Sequence, residues 1–129
     1  MGLRVSIAPE LLKVWVDPAR VRQVLDNLLA NAVRHTPGGG EVVVEVSASP
    51  GPDPGDLPMV RCRVTDAGPG FRDDQLGRMF ERFERAGDSH GSGLGLSIAR
   101  DLVRAHGGTI EAGNDPTTGG ASVSFSLPT

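Results

Sequence analysis

Apolar residues recur along the chain at two different spacings, which predict helices and strands. Between Asp17 and Thr36 they recur every three or four positions, as in an amphipathic helix. Asp17 before Pro18 favours a helix start, and Pro37 after Thr36 favours its end. The same spacing predicts a second helix over Leu94–His106, closed by two glycines.

Elsewhere apolar and polar residues alternate, which predicts strands with one buried face. The predicted strands are Leu3–Ile7, Leu12–Val16, Glu41–Ala48, Met59–Thr65, Thr109–Ala112 and Ala121–Leu127. Asp73 is expected to cap a short helical turn. The pattern predicts an α/β fold: a two-layer α/β sandwich on a mixed, mainly antiparallel sheet, with helices on one face and the other face wet.

Composition limits what this chain can be. Its 129 residues make one domain, and a net charge of −3 with a pI near 5.5 argues against a nucleic-acid partner or an anionic membrane surface. Cys62 is the only cysteine, which excludes an internal disulfide, and its alternation with valines predicts a buried strand position. No apolar run approaches the ~20 residues of a membrane span. Met1-Gly2 leaves open that the chain is part of a longer protein.

The predicted helix Asp17–Thr36 carries a second, polar face. With about 100° of rotation per residue, five side chains lie within about 40° of a common line: Arg20, Gln23, Asn27, Asn31 and Arg34. Asparagine is a poor residue for the middle of a helix. The face is therefore either simply solvated, or the floor of a ligand site in which an amide oxygen meets Mg²⁺ and Arg34 meets an anion.

Three further segments carry candidate chemistry. Asp66–Gly70 follows a predicted strand and would let a flat ligand lie on bare backbone beside a carboxylate; an ordinary turn is the alternative. Gly91–Leu96 opens the second helix with free N–H groups for an anion, or is a hinge. Phe80–Arg85 suits a lid that is apolar on one side and cationic on the other, or a plain core helix.

The order of these segments resembles the ATP-binding catalytic domain of sensor histidine kinases, in the superfamily that includes DNA gyrase, Hsp90 and MutL. Asp26–Pro37 resembles the N box, Asp66–Gly70 the G1 box, Phe80–Arg85 the F box and Gly91–Leu96 the G2 box. The resemblance continues through Gly107-Gly108-Thr109-Ile110 and covers nearly the whole chain. It implies the Bergerat-type fold, with ATP and Mg²⁺ as ligands.

The resemblance also implies roles for single residues. Asn31 is expected to ligate Mg²⁺, Asn27 to lie near the phosphates, and Arg34 to stand where the family usually has a lysine. Asp66 is expected to accept from the adenine amino group. The remaining implied nucleotide contacts are His35 beside the nucleotide, Gly68 and Gly70 making room for the ring, Phe83 in the F box, Arg85 facing the γ-phosphate from the lid, and Gly91, Gly93, Leu94, Gly95 and Leu96 at the G2 box. Asn27, Arg34 and Arg85 form the implied catalytic set, whereas His90 and His106 are interpreted as solvent-exposed.

Gyrase-like hydrolases carry a water-activating glutamate four residues before the Mg²⁺ asparagine. Here that position is Asn27, and an amide cannot take a proton from water. No histidine of this chain has the His-Glu/Asp-x-x-x-Pro setting of a phosphoacceptor. The resemblance therefore implies the catalytic part of a protein-histidine kinase, which cannot phosphorylate itself alone.

The implied partners are a dimerisation and phosphoacceptor domain of the same sensor and a response regulator, with no nucleic acid. We expect a monomeric fragment from the cytoplasmic side of a membrane-anchored sensor. The alternatives are an anti-sigma-factor serine kinase and a nucleotide-dependent docking module.

Overall fold

The computed structural model describes residues 2–8, 14, 16–76, 78, 80 and 95–129. Its elements in chain order are β1 (Gly2–Ile7), α1 (Pro18–His35), β2 (Glu41–Ser49), β3 (Met59–Thr65), α2 (Asp73–Leu76), α3 (Gly95–Ala105), β4 (Thr109–Asn114) and β5 (Ala121–Pro128). These bounds confirm both predicted helices and five of the predicted strands to within two residues. The short helical turn is also confirmed, but Asp73 is its first residue and not its cap, because the first helical hydrogen bonds go to the Arg72 carbonyl. The sixth, Leu12–Val16, falls largely outside the described residues.

The five strands form one sheet in the order β1-β2-β3-β5-β4. β1 runs parallel to β2, and the other neighbours are antiparallel. The predicted mixed, mainly antiparallel sheet is therefore confirmed. β3 is the central strand, with β2 and β5 on either side of it. The candidate G1 segment begins at Asp66, directly after the end of β3.

Helix α1 begins as its sequence predicts. The Asp17 carboxylate accepts a hydrogen bond from the backbone N–H of Ala19 at 3.0 Å, and Pro18 occupies the first helical position. α1 and α3 pack against each other and bury their apolar sides on the sheet. The buried core comprises Val24, Leu28 and Ala32 of α1, Ala99 and Val103 of α3, and strand residues that include Val42, Cys62, Val64, Val123 and Phe125.

Cys62 is buried in the core, as predicted. Desolvation of the thiolate raises the pKa of the Cys62 thiol to about 11. The thiol is thus a small apolar group at neutral pH, with no nucleophilic character.

The prediction that the second face of the sheet is exposed to solvent is wrong for β5. Ser122 and Ser124 point away from the helices, yet they are only 7% and 6% exposed. Arg63 Nε donates to Ser122 Oγ at 2.8 Å, and Arg61 Nη2 donates to Ser124 Oγ at 3.2 Å. The long arginine stems lie over β5 and cover it, which a period-two pattern does not reveal.

The interpretation of His106 as a solvent-exposed side chain is also wrong. The ring is half-buried where α3 ends, and Nε2 lies 3.2 Å from the backbone nitrogen of Asp17 at the start of α1. A contact between residues 89 positions apart has no local sequence signal.

Within the described part of the chain, no helix has the length and apolar character required to cross a membrane.

Candidate functional site

Asp66 prolongs the hydrogen-bond ladder between β3 and β5. Its N–H donates to the Ala121 carbonyl at 2.9 Å, and its Oδ1 accepts from Ala121 N–H at 3.0 Å and from Gly68 N–H at 2.9 Å. The residue is 4% exposed. Oδ2 makes no hydrogen bond within the described residues. One carboxylate oxygen is therefore fixed by the backbone, and the other remains an acceptor for a ligand.

Glycines around Asp66 allow the backbone to pack closely. A Cβ on Gly68 would collide with the His35 carbonyl, and a Cβ on Gly120 would collide with that of Asp66. Gly70 has a φ of +84°, and a Cβ there would meet the Gly119 carbonyl. The structure thus explains Gly68 and Gly70 by protein packing. Their expected role in making room for a ring stays a prediction.

The polar face of α1 converges on one place. Asn31 is 6% exposed, and its Oδ1 accepts a hydrogen bond from Arg34 Nη2 at 3.2 Å. One turn earlier, Asn27 Nδ2 donates to the carbonyl of Gly95, the first residue of α3, at 3.1 Å. The amide-rich face is therefore not simply solvated, since it contacts the start of the second helix. Its role as the floor of a ligand site stays a prediction.

His35 joins the two halves of the site. Its Nδ1 lies 2.8 Å from the Asn31 carbonyl, and its ring meets the edge of Phe71 with centroids 6.4 Å apart and planes at 77°. A carbonyl only accepts, so Nδ1 carries the proton. His35, the last residue of α1, thus connects this helix to the segment that follows Gly70.

The structure does not describe every predicted residue. Gly95 and Leu96 are described, and Leu96 packs against the hydrophobic core. Phe83, Arg85, His90, Gly91, Gly93 and Leu94 lie outside the described residues.

Two residues that the sequence did not single out hold the Asp66–Gly70 segment in place. Thr36 Oγ1 donates to the Ala32 carbonyl at 2.9 Å and accepts from Ala67 N–H at 3.3 Å. Asn114 pairs with the backbone of Phe71 through both amide atoms, at 2.7 and 2.9 Å. The position of Thr36 before a proline marks a helix end, but nothing local links Asn114 to a residue 43 positions away.

Known proteins are similar to this chain in sequence and in fold. A family model described as "Histidine kinase-, DNA gyrase B-, and HSP90-like ATPase" matches residues 16–129. "Sensor protein SphS" of Synechococcus elongatus is 42% identical over 93% of this chain, which spans 30% of SphS. "Sensor histidine kinase component HK1" of Mycobacterium tuberculosis is 41% identical over 94% of the chain and 67% of HK1. The solved structure of "Mycobacterial sensor histidine kinase MprB" is similar with a TM-score of 0.83 and 30% identity, over 98% of this chain and 82% of that one.

Proposed function

Because this chain belongs to the histidine kinase-, DNA gyrase B- and HSP90-like ATPase family, we propose that it is the catalytic domain of a sensor histidine kinase. It binds Mg·ATP and passes the γ-phosphate to a histidine on a separate dimerisation and phosphoacceptor domain. The observation that carries the proposal is the joint placement of a half-satisfied buried carboxylate, Asp66, and the Asn27–Asn31 face of α1. Thr36 and His35 connect the two.

Asp66 fits an adenine. Its Oδ1 is saturated by backbone N–H groups, so the free Oδ2 accepts from a ligand donor such as the adenine amino group. Guanine presents a carbonyl at that position, which sets acceptor against acceptor. Leaving such a buried group unpaired costs about 1–3 kcal/mol, enough to discriminate between the two bases.

The polar face of α1 fits the phosphates and a metal. Asn31 Oδ1 is a neutral oxygen of the kind that Mg²⁺ accepts, although one such ligand is too weak to hold the ion without phosphate oxygens. Mg²⁺, when bound, neutralises charge between the β- and γ-phosphates. Arg34 supplies a fixed positive charge beside it, in a planar fork where the family usually has a lysine.

The site favours transfer over hydrolysis. Asn27 stands where a hydrolase places its general base, and its amide nitrogen is engaged with the Gly95 carbonyl. An amide cannot activate water, so this chain's own part is to hold and orient the nucleotide. Arg85 is proposed to face the γ-phosphate.

The acceptor and the rest of the pathway belong to other domains. The chain spans less than a third of SphS, and we propose that the remainder of its own protein includes a dimeric helical phosphoacceptor domain and a membrane anchor. A response regulator receives the phosphoryl group downstream. The domain itself works on the cytoplasmic side, as a monomer when isolated.

The test uses γ-labelled ATP and Mg²⁺. The isolated domain should bind ATP, turn it over slowly and acquire no label. Adding the phosphoacceptor domain of its own sensor should place acid-labile label on the histidine of that domain. The rate should rise when the two are joined, because a tether raises their effective concentration to the millimolar range. Acid-stable label on either partner would overturn the proposal in favour of serine chemistry.

A further inference from the structure

His106 uses both ring nitrogens at the end of α3. Nδ1 lies 2.8 Å from the Leu102 carbonyl, and Nε2 lies 3.2 Å from the backbone nitrogen of Asp17. Since a carbonyl only accepts, Nδ1 carries the proton and Nε2 accepts from the Asp17 N–H. The ring thus connects the last turn of α3 to Asp17, the residue that precedes α1.

A second polar contact joins the middle of α1 to the start of α3, where Asn27 Nδ2 donates to the Gly95 carbonyl. The contacts are separated by ten residues along α1, Asp17 to Asn27, and by eleven along α3, Gly95 to His106. At 1.5 Å per residue the two spans are about 15 and about 17 Å. The earlier residue of α1 pairs with the later residue of α3, so the helices run antiparallel and the two contacts bracket one seam. Buried apolar residues of both helices lie along this stretch: Val24, Leu28, Ala99 and Val103.

An apolar seam by itself does not fix how far one helix slides along the other, because hydrophobic contact has no direction. Hydrogen bonds at the two ends of the seam fix this sliding position, because a hydrogen bond weakens steeply when its distance or angle changes. Asn27 belongs to the proposed phosphate site, whereas His106 lies at the far end of α3 and forms no hydrogen bond to a residue of that site. Its side-chain hydrogen bonds in the described part of the chain are those with Leu102 and Asp17.

We propose that His106 is a positioning residue for the phosphate end of the nucleotide site. By accepting the Asp17 N–H it sets α3 along α1, and with it the placement of Gly95 against Asn27. The identity of the ligand rests on the proposed function. The base end is independent of α3, because Asp66 is held by Gly68 and Ala121.

The test separates the two ends of the nucleotide. His106→Phe keeps a ring but removes the acceptor, and His106→Asn keeps only the short reach to Leu102. His106→Gln places an amide oxygen at about the reach of Nε2. We expect His106→Phe and His106→Asn to weaken ATP binding about three- to tenfold, which is the range for the loss of one hydrogen bond. Adenosine binding should be unchanged in both variants. His106→Gln should keep the wild-type affinity for ATP.

Val44→Ala is the matched control for lost stability, because Val44 is a core residue of β2 outside the α1–α3 seam. Val44→Ala should lower the thermal stability about as much as the His106 variants do, but should leave the ratio of ATP affinity to adenosine affinity unchanged. Equal weakening of ATP and adenosine by the His106 variants, or no rescue by Gln, would overturn the inference.

A measurement without nucleotide distinguishes this inference from the proposed function. The side-chain amide resonance of Asn27 reports its contact with Gly95. It should shift in His106→Phe and His106→Asn, but not in His106→Gln or Val44→Ala. A folded wild-type domain that binds no ATP would contradict the proposed function, and an unmoved Asn27 resonance would contradict the positioning role.

Discussion

Arg34 donates a hydrogen bond to the amide oxygen of Asn31 across one turn of α1, at 3.2 Å. Two consequences follow for an oxygen proposed to ligate Mg²⁺. The arginine fixes which way the amide faces, because only the oxygen can accept from a guanidinium. It also occupies one of the two lone pairs and leaves the second for a cation.

Removing the Arg34 guanidinium should weaken nucleotide binding mainly when Mg²⁺ is present. We expect Arg34→Met to lower ATP affinity about tenfold in Mg²⁺, the size of a charge-assisted hydrogen bond, and much less in a chelator. Calorimetric titration measures both values. Arg22→Met is the matched control, since Arg22 is an exposed arginine of the same helix without a side-chain partner in the described residues. Equal losses in the two variants would remove Arg34 from the site.

Asp66→Asn tests base recognition without emptying the pocket. The wild-type domain should prefer ATP to GTP by at least about tenfold, since ~1.4 kcal/mol is one decade in affinity. In the variant the amide oxygen still accepts from Gly68 and Ala121, so the amide nitrogen takes the place of Oδ2 and becomes a donor. The preference should then shrink or reverse toward GTP, with little change in melting temperature. An unchanged preference for ATP would exclude Asp66 as the residue that reads the base.

Gly68→Ala tests how tightly the Asp66–Gly70 segment rests on the end of α1. A methyl group there meets the His35 carbonyl, so backbone must move, at a cost of about 1–3 kcal/mol of unfolding free energy. Gly38→Ala has nothing within 4 Å of its Cβ and should stay within about 0.5 kcal/mol. Urea denaturation of the two variants gives the comparison, and equal stabilities would contradict the packing described here.

Cys62 should make the domain sensitive to alkali. Burial raises the pKa of its thiol from 9.0 to about 11, so the folded protein holds a proton that the unfolded chain releases earlier. That stabilisation is fully present below about pH 9 and is lost as pH rises through about 11, roughly 2–3 kcal/mol in all. The chain has no tyrosine, which leaves few other groups titrating in this range.

Cys62→Ala removes the titrating group. At neutral pH the unfolding free energy of this variant should be lower than that of the wild-type domain, because packing is lost. Between pH 9 and 11 it should decline less than that of the wild-type domain. Denaturant titrations at a series of pH values measure the difference. Parallel pH profiles for the variant and the wild-type domain would show that the thiol does not contribute.

The sequence predicts the elements of this domain well because each depends on neighbours in the chain. Capping of α1 by Asp17 and the alternation in β3 are local, and both are confirmed. The two contacts at His106 and Asn114 are not local: they join residues 89 and 43 positions apart. Each depends on the completed sheet and helix layer, which no period or motif encodes.

The candidate site divides in the same way. Asp66, Asn27 and Asn31 are recognisable from the sequence because the segments that contain them resemble motifs of a known family; of the three, only the asparagines are unusual by themselves, since asparagine is a poor residue for mid-helix. What holds them is less visible. The Thr36 hydroxyl accepts from Ala67 N–H, and the Asp66 carboxylate accepts from Ala121 N–H. The backbone N–H in each bond occurs in nearly every residue and therefore gives no sequence signal.

The close packing around Gly119 and Gly120 determines where this domain tolerates changes in length. In the β4–β5 turn the Gly119 carbonyl lies against Gly70, and Gly120 lies against the Asp66 carbonyl, so an inserted residue there would displace the Asp66 side chain. The β2–β3 loop joins the opposite end of the sheet, where each doubling of loop length costs only about 0.6 kcal/mol. Relatives and engineered variants should therefore differ freely in length at residues 50–58, which makes that loop the place to insert a tag or a reporter domain.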